Sequence, residues 1–125
     1  MPRRRILKTR FFQRWALQAG VTDMALLAAV QEIEQGLIDG DLGGGVLKKR
    51  VGVSGRGKSG GARVVLATNR GDRWFFVFGF LKNQRANISP RELDALRELA
   101  HDLLALNERQ IDAQAKIGAF EEVIG

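Results

Sequence analysis

The chain has no cysteine and no tyrosine, a single histidine and only two prolines. Without thiols there is no disulfide framework, no thiolate nucleophile, no zinc–thiolate site and no cysteine-ligated iron–sulfur cluster. One histidine excludes a multi-histidine metal centre. No apolar run approaches the roughly 20 residues that a membrane span requires. The basic N-terminus, MPRRRILKTRFFQRW, has neither the apolar segment nor the small-residue cleavage site of a secretory signal, so a cytoplasmic protein is expected. What is present is ordinary globular material: 125 residues, 45% hydrophobic and 27% charged, enough for one domain with its own core.

Charge is strongly segregated. Residues 1–14 carry six Arg or Lys and no acid, and residues 15–45 carry five acids and no base. Residues 46–91 carry eleven bases and one acid, Asp72, whereas residues 92–125 carry three bases and eight acids. The net charge is +6. A concentrated basic block sets up a positive field that suits a polyanionic partner, nucleic acid above all.

Hydrophobic periodicity supplies the architecture. Ile6-Leu7 reads as a short edge strand. Thr9 and Thr22 cap two amphipathic helices, Phe11–Ala19 and a second running to about Leu37, joined as a helical hairpin through Gly20. Asp39–Gly45 reads as a turn, Val46–Val53 as a strand, Ser54–Gly61 as a glycine-rich loop and Ala62–Thr68 as a strand. Asn69–Asp72 is a hairpin turn, and Arg73–Leu81 is apolar on both faces, as a central strand is. Ser89-Pro90-Arg91-Glu92 carries the marks of a helix start. Asn107–Gly125 is an acidic, weakly helical extension beyond a domain of residues 1–106. The order is β-α-α-β-β-β-α, an α+β fold with helices packed on a small, mostly antiparallel sheet.

Gly52–Ser59 matches the phosphate-loop pattern GxxxxGK[ST]. That chemistry needs a helix after the loop, but Gly60, Gly61 and a β-branched run follow, so the match reads as accidental and no nucleotide cofactor is expected. Arg56 and Lys58 on this loop remain candidates for contact with an RNA backbone. Lys48 and Arg50 lie two apart on one strand and share a face. Arg63 opens the adjoining strand, and Lys82, Asn83 and Arg85 follow the next. Cations gathered on a sheet surface are costly unless solvated or paired with an anion, and a phosphodiester is a natural counter-charge. The plainer alternative is a basic edge that deters strand pairing. The aromatic residues read mostly as core, with Phe75 or Phe76 the candidates for stacking on a base. His101 lies on the last helix, far from the basic block, and reads as structural.

The elements LKKRV, GRGKSGGARVV, RWFFVFGFLKNQRANIS and SPREL, placed after two helices, resemble the RelE/HigB superfamily of type II toxin–antitoxin toxins in its HigB-like and RelE-like branch. The resemblance covers roughly residues 5–106 and implies a RelE-like, microbial ribonuclease-type fold with a small, curved antiparallel sheet. It further implies a ribosome-dependent mRNA endoribonuclease, an mRNA interferase that needs no metal or cofactor and inhibits translation. In that chemistry the 2′-hydroxyl attacks the adjacent phosphate and leaves a 2′,3′-cyclic phosphate. Carried over by position, the catalytic set is Lys48, Arg50, Arg63, Lys82 and Asn83, with Arg56, Lys58 and Arg85 touching RNA or the ribosome. The family's tyrosine has no counterpart, Ser89 falls near its place, and Asn83 stands where an arginine is expected. The implied partners are mRNA, the ribosome and a cognate antitoxin of the helix-turn-helix type. Two rival readings are a ParE-like toxin acting on gyrase, which would not need Lys48, Arg50 and Arg63 together, and a non-catalytic RNA- or ribosome-binding module.

Overall fold

A computed structural model describes residues 4–53 and 57–123, with backbone alone for 57–60. The described elements run β1 (Arg5–Thr9), α1 (Arg10–Ala19), α2 (Asp23–Glu34), β2 (Gly40–Gly43), β3 (Val46–Val53), β4 (Gly57–Thr68), β5 (Arg73–Leu81), α3 (Pro90–Leu104), α4 (Glu108–Lys116) and β6 (Phe120–Glu122). The strands form one sheet in the order β2-β3-β4-β5-β1-β6. The α+β class and its helix-covered sheet are as expected.

Several details differ from expectation. β1 is not an edge strand: it lies between β5, which it pairs in parallel, and β6, so the sheet is mixed. Part of the expected Asp39–Gly45 turn forms the edge strand β2, because Gly43, Gly44 and Gly45 take positive φ and turn the chain tightly into β3. β4 begins at Gly57 rather than at Ala62, so the residues that would open a helix in a phosphate loop are strand, and Arg63 sits mid-strand. The segment beyond residue 106 holds α4 and β6; it buries Ile111, Phe120 and Val123 and pairs with β1.

The sheet is covered on both faces. Phe12 and Ala16 of α1 and Leu26, Val30 and Ile33 of α2 pack on Leu47, Val64, Leu66, Trp74 and Phe76. On the other face, Leu96, Ala100 and Leu103 of α3 and Ile111 of α4 cover Leu7, Val46, Val65, Ala67 and Phe75. This double cover explains why β5 is apolar on both faces. Gly79 is required by close approach, since a Cβ there would lie 2.2 Å from the Trp15 ring. Phe75 and Phe76 are both fully buried, one in each core, which excludes them as base platforms. His101 is exposed in the last turn of α3, where a cation suits the helix C-terminus.

Candidate nucleic-acid interface

Strand alternation and register assemble the site. Lys48 and Arg50 share the α3 face of β3; across the ladder Lys48 faces Val65, and Arg50 faces Arg63. β5 continues both rows, with Phe78 opposite Val65 and Phe80 opposite Arg63. Two parallel rows result, Lys48–Val65–Phe78 and Arg50–Arg63–Phe80. Adjacent strands lie about 4.8 Å apart, so the long cationic side chains of Arg50 and Arg63 can reach a common anion. α3 covers the Val46–Ala67–Phe75 end of this face, and the Arg50 side chain is 52% exposed.

Lys49, between the two site cations, points to the α2 face. It is 5% exposed, with its Nζ 2.8 Å from Glu32 Oε1 and 3.5 Å from Asp39 Oδ2. Asp39 also accepts from Arg50, at 2.8 Å from the backbone N and 2.9 Å from Nε. Burial opposes ionisation of Asp39. The Arg50 backbone N–H, the Lys49 charge and the Arg50 guanidinium outweigh it and hold the carboxyl below its ordinary range. Asp39 thus shares the buried lysine with Glu32 and orients the exposed arginine.

The segment after β5 folds back over the same face. The Arg85 guanidinium lies 5.6 Å from the Phe78 ring centre and 5.4 Å from that of Phe80. It donates to the Asn87 carbonyl at 3.1 Å and pairs with both Glu92 oxygens. Lys48 Nζ donates to Asn87 Oδ1 at 3.3 Å. Ser89 is the N-cap of α3: its hydroxyl accepts from Glu92 N at 3.2 Å while the Glu92 carboxylate accepts from Ser89 N at 2.8 Å. Lys82 and Asn83 are exposed just beyond β5, where Lys82 N continues the ladder to the Gly61 carbonyl at 3.1 Å. Arg56, and the side chain of Lys58, lie outside the described residues.

Ion pairing sorts the basic block. Lys49, Arg50, Arg70, Arg73 and Arg85 each have a carboxylate partner. Lys48, Arg63, Lys82 and Arg91 have none among the described residues. Arg63 is half-buried, and its one polar contact among the described residues is from Nη1 to the Ala62 carbonyl at 3.4 Å. Sequence reasoning brought Lys48, Arg50 and Arg63 together correctly. It missed Asp39 and Asn87, whose roles depend on tertiary contacts. It also missed Phe78 and Phe80, which face the same side as Arg63 only because the β4–β5 register shifts between Val65 and Leu66, a bulge that strict alternation does not foresee.

Among the described residues, no group of three His, Asp or Glu side chains is placed to hold a metal ion, and no helix is long and apolar enough to cross a membrane. Residues 4–123 match the family model for the RelE toxin of the RelE / RelB toxin-antitoxin system. The chain belongs to this family: it is a toxin, and an antitoxin is its partner. A search of curated proteins finds no match.

Proposed function

We propose that this toxin inhibits translation as a ribosome-dependent mRNA endoribonuclease acting in the cytoplasm. The observation that carries the reading is the direct cross-strand pairing of Arg50 with Arg63 on an open part of the sheet, with Arg63 lacking a carboxylate partner among the described residues. A half-buried arginine without a counter-ion is costly in the free protein and is relieved by a phosphate. In the step that this arrangement suits, the 2′-oxygen attacks the adjacent phosphorus and the bond to the 5′-oxygen breaks. The products are a 2′,3′-cyclic phosphate and a 5′-hydroxyl; the 2′-hydroxyl proton leaves and a proton is delivered to the 5′-oxygen. Arg63 and Arg50 stabilise the charge that builds on the pentavalent phosphorus, a preorganised electrostatic role. We place the ammonium of Lys48, held against Asn87 on the same face, beside the attacking 2′-oxygen, whose charge it stabilises as the proton leaves to solvent. Lys82 and Asn83, at the rim, contact the flanking strand. Ser89, near the place of the missing tyrosine, uses its hydroxyl oxygen as an acceptor in the α3 cap, and we assign it no proton-transfer role.

Primer extension on mRNA in a translating extract tests the reading. The purified toxin should introduce discrete cuts, and Arg63→Ala should weaken them roughly 10²- to 10³-fold. Translation arrest with intact mRNA would favour the non-catalytic ribosome-binding reading, and gyrase inhibition with unaffected translation would favour the ParE-like one.

A further inference from the structure

We propose that Phe11 and Phe78 form a stacking seat for an unpaired base of the bound RNA strand, beside the phosphate site; this rests on the ribonuclease reading above. Phe11 stands in the first turn of α1 and is 63% exposed, while its neighbour Phe12 is fully buried in the core. Phe11 therefore contributes little to the core. Its ring lies parallel to that of Phe78, with an interplanar angle of 4° and centroids 6.2 Å apart. Phe78 belongs to the row that begins at Lys48 and lies two residues from Phe80, the cross-strand partner of Arg63. The Arg85 guanidinium over Phe78 extends the aromatic surface with a planar cation. A strand whose phosphate meets Arg50 and Arg63 must seat its neighbouring bases on adjacent surface. Aromatic rings interleaved with cations are what single-stranded nucleic acid uses for that, and stacking tolerates any base because every base has a π-face. The unpaired charges of Lys48 and Arg63 favour a polyanion over an apolar protein segment as the occupant.

The test measures affinity at low salt for a short single-stranded RNA and for an abasic strand with the same phosphates, by fluorescence anisotropy. The wild-type protein should prefer the RNA with bases. Phe11→Ala should weaken that RNA by about 5- to 100-fold and leave abasic binding unchanged. Phe11→Trp should restore the preference; Phe11→Leu, which keeps apolar bulk without a ring, should not. Arg63→Ala should weaken both strands alike. Because Phe11 is exposed, the variants should melt with the wild type, which separates stacking from unfolding. Equal affinity of the wild type for both strands, or full affinity in Phe11→Leu, would overturn the seat while leaving the phosphate site standing. Loss of antitoxin binding in Phe11→Ala with RNA binding intact would overturn it in favour of a protein contact. Failure of the wild type to bind either strand would overturn the seat, while the ribonuclease reading stands or falls by the cuts in the translating extract.

Discussion

Lys49 and Arg50 are neighbours in sequence that face opposite sides of the sheet, and Asp39 answers both. Asp39→Ala should leave Lys49 with Glu32 alone and free the Arg50 side chain, costing about 1–3 kcal/mol of stability by denaturant unfolding. Its loss of cleavage should exceed what the unfolded fraction explains. Arg63 behaves differently, since its polar contact among the described residues is only with an adjacent carbonyl. Arg63→Ala should melt close to the wild type yet cleave roughly 10²- to 10³-fold more slowly, the usual effect of removing one preorganised donor to a developing oxyanion. Full growth inhibition by folded Arg63→Ala protein would remove Arg63 from the site. At this scale the sequence was informative where period-two alternation alone decides geometry, as at Lys48 and Arg50. It was silent where a distant carboxylate decides which cations are already neutralised.

The third helix shows how an element can be read from its end signals. Ser89 and Glu92 build a capping box with Pro90 at the first helical position, and the helix start was legible residue by residue because capping is local. The same cap explains what was not legible: Glu92 also clamps Arg85, a contact across seven residues that no local rule contains. Ser89→Ala should cost about 1 kcal/mol, as N-cap losses do, with cleavage unimpaired once the protein is folded. The Arg85 side chain, then the Ser89 backbone N–H, hold the Glu92 carboxyl at about 2, below its ordinary 4.5. A depressed carboxyl stabilises the fold fully above the unfolded value and loses that contribution as pH falls from about 4.5 toward 2. Melting temperatures of the wild type and Glu92→Gln should therefore converge across that window; a constant gap would mean that the pair does not titrate as described. β2 and β6 escaped the sequence reading for a different reason. They have four and three residues, too few to show alternation, and they exist only because a neighbouring strand pairs with them.

Across the whole molecule the charge segregation resolves into internal neutralisation and a residue left for a ligand. Three of the basic N-terminal residues are paired with acids: Arg4 with Glu34, Lys8 with Asp23, and Arg5 with Glu108, Asp112 and Glu122. Arg10 donates to the carbonyls of Ile117 and Gly118 at 3.2 Å. The acidic C-terminal segment is thereby clasped to β1, with Ile111 wholly buried on the inner face of α4. Ile111→Ala should cost about 2–5 kcal/mol in denaturant unfolding, and a chain ending at residue 106 should fail to fold; a stable, cooperative truncated protein would show that the segment is an appendage. With Arg4, Arg5 and Lys8 paired, the cations of the 46–91 block without a carboxylate partner among the described residues gather the positive field on the sheet face. Association with the antitoxin should accordingly slow as ionic strength rises, while dissociation changes less. An association rate indifferent to salt would mean docking on an apolar surface instead. The central claim is that this basic sheet face promotes attack by the RNA's own 2′-hydroxyl, and the most direct measurement replaces that group. In a translating extract, an mRNA bearing a single 2′-deoxynucleotide on the 5′ side of a mapped cut should lose that cut and keep the others. Undiminished cleavage at the deoxy position would contradict the account.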